Sequence, residues 1–338
     1  MRRADGALYL FLAAAALGLA VWGQGNLNNY AVRLLSYAGL YVTLVASLNL
    51  VSGVAGIFSL GHVAFMSVGA YSSALLTYPA ERRAFTFPTL PGWFQELSVP
   101  FPAALLAGGL LATLVALLVG FPLLRLRGHY LSLGSLALLV VVETLAINLE
   151  PVTRGARGLA GIPTYTTPLW AWAVAVLTVY VVARVKASGF GLLLQAARQD
   201  DVAAAAAGVR LTRYRLASFA ASAFFAGVAG GLWAQLVGVI APSIFSFDLT
   251  FRVIVMLIVG GLGSVTGSVV GAVVLFLLPE ALTYLETADT FGVSQLALSV
   301  LLVLVMIFRP EGLLGRTELS FRGRRRGGLA APRTDEGA

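Results

Sequence analysis

Long runs without a formal charge alternate with short charged segments along this chain. Between Arg215 and Asp248, 32 consecutive residues carry no charge. An apolar run of about 18 residues or more predicts a membrane-spanning helix, because a charged side chain at the bilayer centre costs roughly 2.5–3.5 kcal/mol. With histidine counted as neutral, the charge-free runs are 6–32, 34–80, 101–124, 128–142, 158–183, 216–247, 253–279 and 290–308.

These runs predict an all-α integral membrane protein with eight full transmembrane helices and one broken or re-entrant helical pair, ten membrane segments in all. Run 34–80 is long enough for two spans, with a break at 52–56. The pair falls at 251–280, where the glycine-rich sequence 260–264 predicts a turn at mid-membrane depth. The full spans are predicted at 7–23, 34–51, 60–78, 101–124, 131–149, 169–183, 216–237 and 293–308.

The positions of the arginines predict the orientation. Short loops rich in Arg and Lys stay in the cytoplasm. Residues 1–315 are therefore expected to form one polytopic domain with a cytoplasmic N-terminus and a cytoplasmic segment at 185–214, and residues 316–338 are expected to form a disordered, Arg-rich cytoplasmic tail. Four arginines fall outside on this scheme, against the rule: Arg82, Arg83, Arg154 and Arg157.

Composition narrows the function classes. Hydrophobic residues make up 59% and charged residues 11% of the chain, against roughly 25% charged residues in soluble domains. The chain has no cysteine, which excludes disulfides and thiolate metal sites. The net charge of +8 would suit nucleic acid, but the basic residues flank apolar spans, so membrane lipid is the expected partner and nucleic acid is not. The chain also lacks the Gly-x-x-x-x-Gly-Lys-Ser/Thr loop that cradles ATP phosphates, and no cofactor is expected.

The cytoplasmic segment contains a predicted short helix. Asp200 or Asp201 caps the alanine run that includes Ala203 and Ala204, and Gly208 ends it. Spacing alone leaves two interpretations open. The helix is either an ordinary connection between two spans or a docking element, whose small side chains let a partner subunit approach its backbone closely.

Two ionisable residues lie within predicted spans and are candidates for a transport pathway. Such residues at membrane depth often mark function. His62 is equally well explained by a hydrogen bond to a neighbouring carbonyl, and Asn49 and Ser59 are candidates for the same route. Glu143 is the only acid in any predicted span. It either lines the pathway or packs through a hydrogen bond to Asn148 or to the backbone.

The glycines of two predicted spans suggest different roles. In span 216–237, Gly227, Gly230 and Gly231 are spaced for close helix packing, which is preferred to a binding role. At the predicted turn of the broken pair, Gly261 and Gly263 are candidates for exposing backbone groups to substrate.

Six sequence blocks stand in order between about residues 30 and 315: SLNL (47–50), SLGHVAF (59–65), LRLRGHY (124–130), GARGLAGIP (155–163), GGLGS (260–264) and RPEGL (309–313). Together they resemble the branched-chain amino acid permease family of ATP-binding cassette (ABC) importers, in particular its LivM-type subunits. The alanine run after Asp200, followed by Gly208, also resembles the coupling loop of ABC importer permeases. It departs from that loop in having five alanines where the family usually has a glutamate among them.

The resemblance implies a function and a set of partners. The chain would be a permease subunit, not an enzyme, in a bacterial inner membrane. It would pair with a homologous LivH-type subunit, dock two cytoplasmic ATPases that bind the ATP, and receive leucine, isoleucine or valine from a periplasmic binding protein. Docking would fall to Asp200, Asp201, Ala203, Ala204 and Gly208. The family also has a glutamate at the place of Glu143.

Three alternatives stay open at this stage. Permeases for urea or short amides share these blocks. A proton-coupled secondary transporter using Glu143 or His62 would need no ATPase and would leave segment 189–208 without a purpose. An intramembrane enzyme is disfavoured, because the chain offers two histidines with no pair at metal-ligand spacing such as His-Glu-x-x-His.

Overall fold

A computed structural model describes residues 3–88, 90–95, 99–126, 128–283, 307–309 and 312–315. The regular secondary structure of these residues is helical apart from one two-residue antiparallel pair, β1 (Leu159–Ala160) with β2 (Val239–Ile240). The helices are α1 Arg3–Asn26, α2 Asn29–Leu48, α3 His62–Thr77, α4 Ala80–Thr86, α5 Gly92–Gln95, α6 Phe101–Leu123, α7 His129–Asn148, α8 Glu150–Thr153, α9 Pro168–Ala187, α10 Gly189–Gln199, α11 Asp201–Ala206, α12 Leu211–Val237, α13 Phe247–Gly260 and α14 Val265–Thr283.

Seven helical stretches in the described part of the chain are long and apolar enough to cross a membrane: Asn29–Val54, Phe101–Leu123, His129–Asn148, Pro168–Ala187, Leu211–Val237, Pro242–Gly260 and Val265–Leu282. The all-α membrane class is therefore confirmed. The count of ten segments stays a prediction. Predicted span 293–308 lies almost entirely outside the described residues, and α3, at predicted span 60–78, has 16 residues against the roughly 20 that a span needs.

Helices α3, α6 and α12 pack with their backbones almost in contact. A Cβ atom on Gly69 would lie 2.1 Å from the carbonyl oxygen of Gly227, and one on Gly230 would lie 1.9 Å from that of Met66. Neither space admits a side chain. The packing role predicted for the glycines of span 216–237 is confirmed.

The two ends of the helix bundle differ in character. One end, here called the charged face, carries residues 184–215 and the loop after α2, whose Phe58 carbonyl accepts from Ser132 Oγ (3.0 Å). The other end, the opposite face, carries α4, α5, α8 and the β1–β2 pair. These two sets of loops are grouped as the predicted threading groups them.

Two of the arginines that depart from the positive-inside rule have structural roles on the opposite face. Arg83 is buried and donates to the carbonyl oxygens of Tyr78 (2.8 Å), Phe94 (2.9 Å) and Leu76 (2.8 Å). Arg154 donates to the carbonyl of Thr86 (3.0 Å). These bonds hold the loops of this face together, which gives a physical reason for the exceptions.

The predicted re-entrant pair corresponds to α13 and α14, and the break at 260–264 is confirmed. Its expected depth is wrong. The carbonyl oxygen of Gly263 accepts from Lys186 Nζ (2.6 Å), in the last turn of α9 at the charged face. A short 3₁₀ turn extends the first arm of the pair backwards to Pro242. That arm, Pro242–Gly260, then has 19 residues, enough to complete a crossing before the turn.

Candidate coupling and pathway site

Helices α10 and α11 form the charged segment between α9 and α12. Asp200 is the N-cap of α11, and its Oδ1 accepts from the main-chain N–H groups of Val202 (2.8 Å) and Ala203 (3.0 Å). Asp201 instead forms an ion pair with Arg215 at 2.5 Å, which ties α11 to the start of α12. Gly208 has a φ of +83°, the left-handed conformation that ends a helix. The predicted capped helix is confirmed.

The surface of α11 consists of small side chains. Ala203 is exposed, Ala204 is buried against the neighbouring helices, and the Val202 side chain is 79% exposed. Around Gly208, no heavy atom lies within 4 Å of where a Cβ would stand. Beside this helix lies a groove of about 530 Å³, lined by Phe190, Leu193, Ala207, Gly208, Val209, Arg210, Arg213 and Tyr214. Helix α11 therefore projects from the charged face with free space on its outer side.

Asn49 holds the turn between α13 and α14. It is fully buried in the π-helical turn Asn49–Val54 that ends α2. Its Nδ2 donates to the carbonyl of Ser264 (2.8 Å), and its Oδ1 accepts from the N–H of Gly263 (2.9 Å). Three of the predicted pathway residues, Asn49, Gly261 and Gly263, thus belong to one small region where two helices are interrupted.

The C-terminal segment 312–315 covers the end of α13. The N–H of Leu313 donates to the carbonyl of Val259 (2.7 Å), and that of Leu314 donates to the carbonyl of Gly260 (3.4 Å). These carbonyls lack partners within their own helix, because α13 stops here. Gly261 has a φ of +122°, and a Cβ there would lie 2.5 Å from the carbonyl oxygen of Gly315. The RPEGL block thus leads into a segment that caps a broken helix.

His62 is buried in the packed core at the start of α3. Its Nε2 lies 3.0 Å from Ser47 Oγ, and its Nδ1 lies 3.5 Å from Ser222 Oγ. Because Ser47 Oγ already donates to the carbonyl of Leu44, a neutral ring donates its Nε2–H to Ser47. This geometry favours the packing interpretation of His62. Nearby in sequence, Ser59 Oγ is buried and has no hydrogen-bond partner within the described part of the chain.

Glu143 stands apart from the other candidates. It lies partly buried on α7, a helix most of whose surface is exposed. The packing alternative, a bond to Asn148 or to the backbone, is not seen in the ranges that the structure describes, and Asn148 Nδ2 donates to the carbonyl of Thr144 (2.8 Å). No hydrogen bond or ion pair of the Glu143 carboxyl is present among the described residues. The side chain therefore stays a candidate for contact with a pathway or with a neighbouring subunit.

Two cationic residues of this site were not singled out from the sequence. Lys186 donates to Gly263, and Arg198, near the end of α10, donates from Nη1 to the carbonyl of Gly53. Gly53, Lys186, Gln195 and Arg198 also border a cavity of about 230 Å³ next to the turn. One signal was available, because Lys186 is the only lysine in the chain.

The site offers hydrogen bonds and interrupted helix ends rather than reaction chemistry. Among the described residues, no group of three or more His, Cys, Asp or Glu side chains could hold a metal ion. The site contains an exposed capped helix and two interrupted helices. Two basic side chains, from α9 and α10, donate to the carbonyls of those interruptions.

Comparison with known proteins gives a consistent set of relatives. A family model described as branched-chain amino acid transport system / permease component matches residues 30–309. The high-affinity branched-chain amino acid transport system permease protein LivM of Salmonella typhimurium is 30% identical, over 91% of this chain and 75% of that protein, as is LivM of Escherichia coli K12. The corresponding LivH of Escherichia coli K12 is 29% identical, over 61% of this chain and 65% of that protein. No solved structure matches the chain.

Proposed function

The chain belongs to the family of branched-chain amino acid transport system permease components, and we propose that it is the LivM-type permease subunit of an ABC importer for leucine, isoleucine and valine. Its family is one of transport permeases, not of enzymes. The subunit binds no ATP itself. Two ATPase subunits at the charged face hydrolyse the ATP, a LivH-type subunit forms the other half of the path, and a periplasmic binding protein delivers the substrate at the opposite face.

The single observation that carries this proposal is helix α11. Its Asp200 cap, small exposed side chains and left-handed Gly208 suit insertion into a cleft of a partner subunit. The proton-coupled alternative gives this helix no task. The match of 280 residues to a permease family, together with relatives named both LivM and LivH, supports a heterodimer of permease subunits.

Transport then follows an alternating-access cycle. ATP binding brings the two ATPases together and displaces α11 of each permease subunit. The membrane helices move with α11. The central path then closes on the side of the binding protein and opens toward the cytoplasm. We place Asn49, Ser59, Glu143, Gly261 and Gly263 along or beside this path. His62, whose contacts with Ser47 and Ser222 favour a packing role, is left out of it. The 261–264 turn lies at the charged face, at the proposed cytoplasmic end of this path.

The substrate class can be tested in cells that lack this gene. Uptake of labelled leucine at sub-micromolar concentration should be lost and should return when the gene is restored. Unlabelled isoleucine and valine should compete with leucine, whereas urea and acetamide should not. Competition by urea or acetamide alone would assign the chain to the urea and short-amide importers instead.

We propose that the charged face is cytoplasmic, with both termini on that side and the membrane being the bacterial inner membrane. The chain has no cysteine, so single cysteines can report sidedness. The side chains of Phe85 and Val202 are 88% and 79% exposed, on opposite ends of the bundle. In sealed cells, an impermeant thiol reagent should label Phe85→Cys and leave Val202→Cys unlabelled. The reverse pattern would invert the proposed orientation.

Glu143→Gln should lower uptake about tenfold or more at normal membrane abundance. The substitution keeps the size and hydrogen-bonding capacity of the side chain and removes its charge, so a carboxyl that acts by ionising is affected and one that only packs is not. The readout is leucine uptake per mole of permease in the membrane. Glu150→Gln, an exposed position beyond the end of α7, is the matched control. Unchanged uptake by Glu143→Gln would remove Glu143 from the path.

A further inference from the structure

The end of α2 is built to approach the turn between α13 and α14. The helix widens into a π-helical turn at Asn49–Val54, in which the N–H of Ala55 donates to the carbonyl of Leu50 (3.1 Å). Single π turns inside helices occur frequently at functional sites. A Cβ on Gly53 would lie 1.7 Å from Asn49 Oδ1 and 2.6 Å from the main-chain nitrogen of Gly263. The position requires glycine, because the Asn49 side chain and the turn occupy that space.

Both helix breaks are bonded to the segment that leads into α11. Arg198 donates to the carbonyl of Gly53 at the first break, and Lys186 donates to the carbonyl of Gly263 at the second (2.6 Å). Asn49 joins the breaks to each other through Gly263 and Ser264. We call this set of side chains, Asn49, Lys186 and Arg198, with the carbonyls that they bind, the clasp.

The clasp is close to the docking helix. Arg198 precedes by two residues the Asp200 that caps α11. The Arg198 side chain also packs against the loop after α2, where its Cγ would lie 2.6 Å from a Cβ on Gly56. A displacement of α11 would therefore shift Arg198 through the last turn of α10. Arg198 in turn donates a hydrogen bond to the end of α2.

We infer that Arg198 and Lys186 are positioning residues that transmit movement of the docking helix to the two broken helices. This inference rests on the proposed function, since it supposes that ATPases move α11. Hydrogen bonds from charged donors are stronger than neutral ones, and each carbonyl here belongs to an interrupted helix whose end can shift without breaking a continuous ladder. The clasp moves as one body with α10 during the transport cycle.

The test measures uptake and ATP hydrolysis in the same reconstituted complex. Arg198→Gln and Lys186→Gln should leave ATPase co-purification and ATP hydrolysis within about twofold of the unmodified complex. The number of leucine molecules imported per ATP should fall about tenfold, because a charge-assisted bond is lost from the transmission path. Arg184→Gln is the matched control. Arg184 is exposed two residues from Lys186, and its loss also removes one positive charge from the charged face.

A purely structural role would give a different result. In that case uptake and hydrolysis would fall together with membrane abundance, and import per ATP would be unchanged, which would contradict the inference. Lys186→Arg, which keeps a charged donor, should retain most of the coupling. If the unmodified complex shows no ATP-dependent uptake at all, the proposed function fails, and that result is seen before any variant is made.

A cross-link provides a second test that does not depend on the glutamine variants folding. The Arg198 Cβ would lie 3.1 Å from a Cβ on Gly56, a little closer than the roughly 3.5–4.5 Å usual in a disulfide, so a small movement of the loop after α2 admits the bridge. Arg198→Cys alone should uncouple hydrolysis from uptake. In the Gly56→Cys/Arg198→Cys pair, oxidation should restore import per ATP, and reduction should lower it again. An oxidised pair that remains as uncoupled as Arg198→Cys would overturn the clasp as a transmission element.

Discussion

Gly208→Asp should abolish ATP-dependent uptake while the chain remains folded in the membrane. The backbone of Gly208 is left-handed, so a Cβ there costs about 1 kcal/mol, too little to unfold a domain of this size. The space around this position is open, so the new carboxylate is accommodated sterically within the subunit. The carboxylate would instead contact the cleft of the ATPase subunit. Burying its charge there is unfavourable and displaces the end of α11.

The measurements for Gly208→Asp are ATPase co-purification and uptake in vesicles supplied with ATP. Gly25→Asp is a suitable control, because it adds the same side chain near the end of α1, where there is also open space around the Cβ. The control should retain uptake. Full uptake by Gly208→Asp, with normal recovery of the ATPases, would contradict the docking role of α11.

Gly69→Val should prevent stable folding altogether. A Cβ at this position would lie 2.1 Å from the carbonyl oxygen and 2.3 Å from the Cα of Gly227, both backbone atoms of α12 that cannot rotate away. Overpacking a core costs roughly 1–3 kcal/mol when side chains can adjust, and more when the obstacle is backbone. Helices α3 and α12 would have to separate along their whole contact.

The expected result for Gly69→Val is loss of the protein from the membrane, measured by quantitative blotting and by thermal unfolding of any material extracted in detergent. Gly18→Val is the control, since nothing lies within 4 Å of a Cβ at Gly18 in α1. Normal abundance and an unchanged unfolding temperature for Gly69→Val would show that the packing of α3 on α12 is looser than described.

Much of this architecture follows from charge and glycine positions alone. A charged side chain is costly in lipid, so the gaps between charges predicted the positions of α2, α6, α7, α9 and α12 closely. The cap at Asp200 and the stop at Gly208 depend on local backbone geometry, which sequence encodes directly. The break at 260–264 was predictable for the same reason.

The depth of that break and the clasp were not predictable from local sequence. The expected mid-membrane turn ignored the entry turn at Pro242, which lengthens the first arm of the pair. Lys186 donates to a carbonyl 77 positions away in the sequence, and Arg198 donates to one 145 positions away. Every residue has a main-chain carbonyl, so the sequence does not show which residue accepts such a bond. Helix α10 was not predicted either. It has few buried positions, and they lie in a segment for which the sequence predicted a cytoplasmic location and a helix only after Asp200.

The source of energy for transport tests the central claim most directly. The complex of this chain with its sister permease and two ATPases is reconstituted in liposomes, and import of labelled leucine from the binding protein is measured. Import should require ATP on the side of the charged face and should persist when a protonophore removes the proton gradient. Import that continues without ATP and collapses with the proton gradient would contradict the assignment of this chain as an ABC importer permease.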